Sequence, residues 1–456
     1  MFNKKKHNIV IVGAGEIGKH IALRLSEEKH FITVIESDEA VAKELGSQID
    51  GRVIAGDGTD VDSLFEADIA EADFFIALTS DNNVNQVSSA MAKKLGAGKV
   101  FCRVHPDLER TQTSFNLREN FDIDYIFSSE RLAAAELSKS IRNPESVNVE
   151  ELAAGNVELQ RVRVSPKSEA RGKTLRELDF PDRVRIGGII RNGKSIVVAP
   201  DETLLGNDEV IIFGEPKRLH DVIIRLNHNR GKEAPPKVII FGGGDYGFSL
   251  TKNLEGSKIY PRIFEASEKR CEEIRDLLAD KSAILNYDAT VIANLKEENI
   301  EEVDYFVATT EMDQDNVMTC LQARTLGAKK TITLIHRADY AEAITKNSEN
   351  MGIMAAVSPR EATLNDLRRE MTSSGNYHRV NEYIVGDLIL VTVAENSIAD
   401  GKKVSEVKWP TGCVLVALGN STRATTPAAD DDIKKENQLF ALVPRKTIGK
   451  FLKLIK

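Results

Sequence analysis

A glycine-rich turn between an apolar strand and a helix is the feature that most limits how this chain can fold. Residues Gly13–Gly18 read Gly-Ala-Gly-Glu-Ile-Gly, follow the apolar run Val10–Val12 and precede a segment with helical apolar spacing. In such a turn the first glycine permits the tight bend, the second admits a pyrophosphate to the backbone, and the third lets helix and strand pack closely. Glu36 ends the next apolar strand, 23 residues after Gly13, where a carboxylate can accept from ribose hydroxyls. The pattern predicts a nucleotide-binding βαβ unit; an empty Rossmann-like domain is the alternative.

The same pattern occurs a second time in the chain. Gly242–Gly247 reads Gly-Gly-Gly-Asp-Tyr-Gly after the apolar run Val238–Phe241, and Glu265 lies 23 residues after Gly242. Further matched pairs keep the two copies in register: Asp57 with Asp288, Asn85 with Asn316, Leu95–Ala97 with Leu326–Ala328, and His105 with His336. A repeat with a period of half the chain indicates a duplicated domain pair rather than a solenoid.

The chain divides into four predicted domains. Strand and helix patterns alternate over residues 1–145 and again over 229–375, which is typical of a doubly wound parallel sheet. Residues 146–228 and 376–456 instead contain alternating strands and a terminal helix, with a hairpin signal at Asn192-Gly193 in the first copy. The predicted fold class is α/β, with two tandem Rossmann-like parallel-sheet domains, each followed by a small α+β domain.

The apolar runs also predict the bounds of single elements. Within residues 146–228, Gly172–Leu178 predicts a short helix. In the second Rossmann-like domain, strands should end at Phe241, Glu265, Leu285, Thr309 and Ile335. In the first, the expected strands are Asn8–Val12, Phe31–Glu36, Val53–Ala55, Phe74–Leu78, Val100–Val104 and Tyr125–Phe127.

Composition excludes several classes of partner. The net charge of −9 argues against nucleic acid or anionic lipid bound by electrostatics, and would suit a basic surface such as the cytoplasmic loops of a membrane protein.

No apolar run approaches the ~18 residues of a spanning helix, and no signal-peptide pattern follows Met1–His7. The four cysteines form no C-x-x-C pair, which fits four buried thiols in a reducing cytosol. The sequence predicts a cytosolic protein without a transmembrane segment.

The C-terminal segment carries an apolar stripe among basic residues, a pattern that also occurs in helices lying on membrane surfaces. Its apolar members are Ile448, Phe451, Leu452 and Ile455. The first copy ends in a similar helix and is followed by another domain. We therefore expect the final helix to pack on its own domain.

Four more residues lie at predicted carboxyl ends of strands, where ligands bind in open α/β sheets. Thr79 and Ser80 follow the fourth strand and either cap the next helix or contact a ligand. Asp57, after the third strand, has the same two interpretations. Arg103 lies near the carboxyl end of the fifth strand, where its cation either binds a phosphate or forms a structural ion pair.

Candidate catalytic groups are few. A dehydrogenase needs a proton donor or acceptor beside the nicotinamide; His105 and His336 end equivalent strands, although a capping or interface role is favoured for both. The sequence has no cluster with metal-ligand spacing, no G-x-S-x-G elbow and no G-x-x-x-x-G-K-[ST] loop. We therefore predict a regulatory binding protein that is not an enzyme, with no catalytic or metal site. A NAD-dependent dehydrogenase is the alternative.

The domain order resembles that of the TrkA family, the cytosolic nucleotide-binding subunits of Trk potassium-uptake systems. Each half is similar to an RCK domain, a regulator of potassium conductance with an N and a C lobe. The resemblance spans essentially the whole chain. It rests on the duplicated C lobes and on these motifs: Gly13–Gly18, Gly242–Gly247, Glu36, Glu265, Gly56–Thr59 and Thr79–Asp81.

The resemblance implies a regulator that binds NAD(H), with ATP or ADP possible, and that gates a membrane-embedded potassium channel or transporter subunit by changing conformation. It also implies a homo-oligomer at the inner face of the membrane; another cation transporter is the alternative client. Carried over by position, the first site comprises Gly13, Ala14, Gly15, Glu16, Ile17, Gly18, Glu36, Asp57, Thr79, Ser80 and Arg103. The second comprises Gly242, Gly243, Gly244, Asp245, Tyr246, Gly247, Glu265, Asp288 and Thr310.

The two halves differ in their positive charges. Arg103 is matched by Leu334, and Lys19 by Phe248. The second half has other cations instead, at Arg262, Lys269, Arg270 and Arg337. We therefore expect the two sites to differ in how they hold phosphates.

Overall fold

The computed structural model describes residues 6–110, 116–142, 146–152, 156–196, 198–227, 235–372, 378–383, 385–420 and 424–456. Its contacts define two compact units. Unit 1 combines Met1–Arg142 with Ala234–Leu367, and unit 2 combines Asn143–Glu233 with Arg368–Lys456. The predicted domain borders after residues 145, 228 and 375 lie outside the described residues and stay predictions.

The first part of unit 1 is a six-stranded sheet whose neighbouring strands are all parallel. Its elements are β1 (Asn8–Val12), α1 (Glu16–Glu27), β2 (Phe31–Glu36), α2 (Glu39–Gly46), β3 (Arg52–Ala55), α3 (Val61–Glu66), β4 (Phe74–Ala77), α4 (Asn82–Lys94), β5 (Lys99–Arg103), α5 (Pro106–Arg110), α6 (Leu117–Asn120), β6 (Tyr125–Phe127) and α7 (Ser129–Arg142). The strand order is β3-β2-β1-β4-β5-β6. This order reverses between β1 and β4, so the carboxyl ends of these two strands border the crevice where such sheets bind ligands.

The first part of unit 2 is a five-stranded antiparallel sheet. It contains β7 (Ser146–Leu152), β8 (Val157–Arg163), β9 (Arg185–Arg191), β10 (Lys194–Ile196), β11 (Glu209–Gly214) and α8 (Pro216–Asn227), in the strand order β10-β9-β11-β8-β7. The hairpin prediction is confirmed: β9 pairs with β10, and Asn192 and Gly193 have φ angles of 52° and 73°. The predicted helix at Gly172–Leu178 is wrong, because this segment forms turns and Thr174 bridges to Thr203.

The second part of unit 1 repeats the first. Its elements are β12 (Val238–Phe241), α9 (Asp245–Gly256), β13 (Arg262–Phe264), α10 (Glu268–Arg275), β14 (Ala283–Leu285), α11 (Ile292–Glu297), β15 (Tyr305–Ala308), α12 (Asp313–Thr325), β16 (Lys330–Leu334), α13 (Ala338–Lys346), α14 (Ser348–Met351), β17 (Ala355–Val357) and α15 (Pro359–Thr372). The parallel order β14-β13-β12-β15-β16-β17 matches that of the first sheet strand for strand. Each half therefore has its glycine turn at the carboxyl edge of its own sheet.

The second part of unit 2 is again five-stranded and antiparallel, in the order β18-β19-β22-β20-β21. Its elements are β18 (His378–Tyr383), β19 (Gly386–Thr392), β20 (Val414–Gly419), β21 (Ala424–Thr425), β22 (Gln438–Val443) and α16 (Ile448–Ile455). Phe451 and Ile455 of α16 are fully buried against β19 and β22. The final helix thus packs on its own domain, as expected. Within the described residues, no helix combines the length and the apolarity that crossing a membrane requires.

The predicted strand bounds in both Rossmann-like domains agree with the structure to within one residue, and the predicted fold class is confirmed. Agreement is this close because buried parallel strands are short apolar runs whose limits are visible in the sequence. The expectation of four buried thiols is correct for Cys102, Cys271 and Cys320, whereas Cys413 is partly exposed. Burial raises the pKa of the Cys102 and Cys320 thiols to about 12.

One buried apolar cluster contains residues of both Rossmann-like lobes of unit 1. Residues 6–142 are called the first lobe and residues 235–367 the second lobe. Helix α7 of the first lobe places Ala134 and Leu137 in a buried cluster with Tyr246 and Leu250 of α9. On the rim of this contact, the Tyr125 hydroxyl donates to Asp366 Oδ2 at 2.6 Å. Buried apolar surface therefore holds the two lobes of unit 1 together.

Candidate functional site

A cavity of about 790 Å³ opens at the carboxyl edge of the first sheet. Its volume lies in the range of small-molecule and cofactor sites. Nine of the eleven residues predicted for the first site line it. These nine are Gly13, Gly15, Glu16, Ile17, Glu36, Asp57, Thr79, Ser80 and Arg103. We call this space the first cavity.

The other two predicted residues, Ala14 and Gly18, hold the turn in shape. The backbone N–H of Ala14 donates to Glu36 Oε2 at 2.5 Å, which ties the turn to the end of β2. At Gly18 an added Cβ would lie only 2.0 Å from the carbonyl oxygen of Gly13. Gly15, in contrast, has no neighbouring atom within 4 Å of an added Cβ. The turn is therefore closed on its inner side and open towards the cavity.

The open side of the turn is the N-terminus of α1. This helix begins at Glu16 with Gly15 as its N-cap, and no described side chain caps it. Unpaired N–H groups and the helix dipole make such an end favourable for an anion. The geometry can therefore accept a phosphate at Gly15.

The polar residues that follow β3 and β4 line the cavity and also form hydrogen bonds with neighbouring residues. Asp57 Oδ1 accepts from the N–H and the hydroxyl of Thr59, each at 2.8 Å, and these hydrogen bonds lower the pKa of Asp57. The Thr79 N–H donates to Asn85 Oδ1 at 2.9 Å, while Asn85 Nδ2 donates to the carbonyl of Arg103 at 3.1 Å. Asn85 thus fixes the ends of β4 and β5 beside the cavity.

Thr79 and Ser80 do not cap α4, because Asp81 is its N-cap and accepts from the N–H groups of Asn83 and Val84. Ligand contact by Thr79 and Ser80 stays a prediction.

Arg103 both lines the cavity and forms an internal ion pair. Its Nη2 lies 2.7 Å from Glu130 Oε1, and the Glu130 side chain is 8% exposed. Ser128 Oγ donates to the other carboxylate oxygen at 2.7 Å. The carboxylate therefore holds the guanidinium at the cavity wall, and the structural and binding interpretations of Arg103 are compatible.

The opposite wall of the first cavity belongs to the second lobe, which the sequence did not indicate. Five residues form it: Tyr246, Glu311, His336, Pro359 and Arg360. Tyr246, a residue of the predicted second site, lines the first cavity. The phenol is 7% exposed, and burial raises its pKa.

His336 is held at this wall by two carboxylates. Its Nδ1 lies 3.1 Å from Asp313 Oδ1, and its Nε2 lies 3.3 Å from Glu311 Oε2. Burial by itself lowers the pKa of His336, but the contacts to Glu311 and Asp313 outweigh it and hold the pKa above its ordinary value. The ring is therefore cationic over a wider pH range than a free histidine.

The second glycine turn is held by the same hydrogen bonds as the first. The Gly243 N–H donates to Glu265 Oε2 at 2.8 Å, as Ala14 does to Glu36. Thr310 lies against Gly242 and binds Asn316 as Thr79 binds Asn85. Asp288 accepts from Thr290 as Asp57 does from Thr59.

The added cations of the second half mostly pair away from the turn. Arg262 binds Glu298, Lys269 approaches Glu273, and Arg337 binds Asp339. Arg270 is the exception: its Nε donates to the carbonyl of Gly243 at 2.9 Å, and its Nη2 lies 3.0 Å from Asp245 Oδ1. Asp245 also binds His105 Nε2 of the first lobe at 2.8 Å. The interface role expected for His105 is present.

Comparison with known families agrees with this arrangement. The family model described as TrkA-N domain matches residues 9–128 and 238–359, and that described as TrkA-C domain matches residues 159–225 and 388–456. The chain belongs to the TrkA family. The resemblance drawn from the two glycine turns and the duplicated C lobes is thereby confirmed.

Relatives of this TrkA family chain match it over nearly its full length. The Trk system potassium uptake protein TrkA homolog 2 of Methanosarcina mazei is 28% identical, with 98% of this chain and 99% of that relative aligned. The Trk system potassium uptake protein TrkA of Halomonas elongata is also 28% identical, with 94% and 93% aligned. Among solved structures, the GsuK channel bound to NAD has a TM-score of 0.63 at 17% identity, covering all of this chain and 80% of that one. The structural likeness shows a shared fold.

Substitution of each partner separates the two roles of Arg103. Arg103→Ala leaves Glu130 charged, buried and unpaired, so the free energy of unfolding should fall by about 3 kcal/mol, and ADP binding should weaken about tenfold. Glu130→Gln removes the negative charge but keeps an amide oxygen that can accept from the guanidinium, so ADP binding should stay within about twofold. Titration calorimetry and thermal denaturation measure both effects. Unchanged ADP affinity in folded Arg103→Ala would leave Arg103 with a structural role alone.

Proposed function

We propose that this protein is a nucleotide-responsive regulatory subunit of a potassium-uptake system and not an enzyme. The observation that carries the proposal is the first cavity, where a glycine turn, the acid Glu36 and the cation Arg103 meet at one sheet edge. These are the groups that a nucleotide's phosphates and ribose require. Full-length relatives named as Trk potassium uptake proteins support the physiological context.

NAD(H) is the proposed ligand, with ATP or ADP as alternatives at the same groups. The carboxylates of Glu36 and Glu265 each keep acceptor capacity beyond their backbone hydrogen bonds, and would repel a 2′-phosphate. GsuK, which shares the fold, has been solved bound to NAD and bound to ADP. The residues predicted for the two sites are the proposed binding residues, with Glu16 contributing its backbone N–H at the N-terminus of α1 rather than its carboxylate.

Regulation requires that the ligand distinguish two conformations. A ligand in the first cavity would contact both lobes of unit 1, because the cavity wall comes from both. We propose that this contact changes the arrangement of the lobes, and that an oligomer on the cytoplasmic face transmits the change to a membrane-embedded potassium channel or transporter subunit.

Matched aspartate substitutions in the two turns test nucleotide binding. Neither Gly15 nor Gly244 has an atom within 4 Å of an added Cβ, so Gly15→Asp and Gly244→Asp should both fold. Gly15→Asp places a carboxylate against the phosphate position and should abolish nucleotide binding at the first site, while Gly244→Asp retains it.

Calorimetry should also show that NADPH binds at least about tenfold more weakly than NADH. Equal or tighter NADPH binding contradicts the proposal, and loss of NADH absorbance with keto acids would favour the dehydrogenase alternative.

Potassium flux tests the regulatory role itself. In vesicles that contain this protein and its membrane partner, flux should change when NAD(H) or ATP is varied. Gly15→Asp should still associate with the partner but lose the part of the response that the first site controls. A double variant, Gly15→Asp with Gly244→Asp, that binds no nucleotide yet responds normally would refute ligand-driven regulation. A response that persists in Gly15→Asp alone would assign control to the second half.

A further inference from the structure

The first cavity contains an ion pair between the two lobes that the sequence did not indicate. Glu16, the first residue of α1, binds Arg360, the second residue of α15. Both residues line the cavity together with Gly15. The pair therefore stands where the phosphates of a nucleotide on the glycine turn would lie.

The two partners differ in how easily they can leave the pair. The Glu16 side chain is 80% exposed, whereas that of Arg360 is 18% exposed. Burial lowers the pKa of the Arg360 guanidinium, which means that water stabilises its charge poorly. An exposed carboxylate can turn into solvent at little cost. The guanidinium, which is only partly exposed, is costly to leave without an anion beside it.

A phosphate on the turn competes directly with Glu16. The N-terminus of α1 favours an anion, but two anions side by side repel one another. A guanidinium binds phosphate as readily as carboxylate, often through two parallel hydrogen bonds. A phosphate would thus satisfy both the helix end and Arg360, and Glu16 would be released to water.

The matching position in the other half carries the opposite charge. Arg360 is the third residue after β17, and Glu130 is the third residue after β6. Glu130 is paired with Arg103 within its own lobe, and the acid of the second turn, Asp245, is held by both His105 and Arg270. The first turn thus pairs its acid with an arginine of the other lobe, whereas the second turn pairs its acid with a histidine of the other lobe and an arginine of its own.

We propose that Arg360 of the second lobe binds the phosphates of a nucleotide in the first cavity, in exchange for Glu16. The inference rests on the proposed nucleotide binding and adds its switching contact. Without ligand, Glu16 joins the lobes through Arg360. With ligand, the phosphate takes over this contact, so the second lobe responds to occupancy of the first site.

Titration of the full chain with ADP and with adenosine, which has no phosphate, tests the proposal. Arg360→Gln should weaken ADP binding about tenfold, since a charge-assisted contact is lost. Glu16→Gln should strengthen it about fivefold, since a competing carboxylate is removed. Adenosine affinity should stay within about twofold in both variants, and Arg360→Lys should restore part of the ADP affinity.

Arg337→Gln is the matched control, because Arg337 is an exposed second-lobe arginine paired with Asp339. If Arg360→Gln leaves ADP affinity unchanged, or lowers it no more than Arg337→Gln does, the proposal is overturned. If Arg360→Gln weakened adenosine binding as much as ADP binding, the proposal would also be overturned, because Arg360 would then act on the ligand without contacting its phosphates. A different result would show that the nucleotide-binding proposal itself has failed: the wild-type protein would then bind ADP no more strongly than the Gly15→Asp variant does. Melting temperatures verify that each variant is folded.

Discussion

The arrangement of the site depends on one close backbone contact. Gly18 lies so near the carbonyl oxygen of Gly13 that an added Cβ would come within 2.0 Å of it, and Gly247 repeats this against Gly242 at 1.9 Å. The contact brings the helix after the turn down onto the end of its strand. The helix N-terminus then faces the sheet edge, and the acid that ends the second strand reaches the turn backbone. This geometry favours an anion at the helix N-terminus.

Duplication preserved this frame while the charges around it diverged. Asn85 and Asn316 make the same hydrogen bonds across the ends of two strands. However, the position of Arg103 in the first copy corresponds to Leu334 in the second, and that of Glu130 corresponds to Arg360. The first cavity consequently receives cations from both lobes. The second turn is surrounded by Arg270 and His105, both engaged with Asp245.

The sequence predicted the parts of the site that depend on local chemistry. Glycine spacing, the acid Glu36 and the strand ends follow from backbone conformation and apolar runs, and the structure has them in place. The second-lobe wall could not be predicted, because it depends on how α7 and α9 pack together in a shared core. Arg360 had one unused signal, its charge reversal relative to Glu130 in the repeat. The helix predicted at Gly172–Leu178 failed because the bridge from Thr174 to Thr203 replaces helical hydrogen bonds.

Amide hydrogen exchange with and without ADP tests most directly whether one ligand is held by both lobes. If one ligand contacts both lobes, ADP should slow exchange in peptides containing Gly13–Gly18 and also in those containing Pro359–Thr363. In Gly15→Asp both effects should vanish together, while Gly244→Asp should keep them. Protection confined to the first lobe, with exchange at the start of α15 unchanged, would contradict the claim that the first cavity joins the two lobes through its ligand.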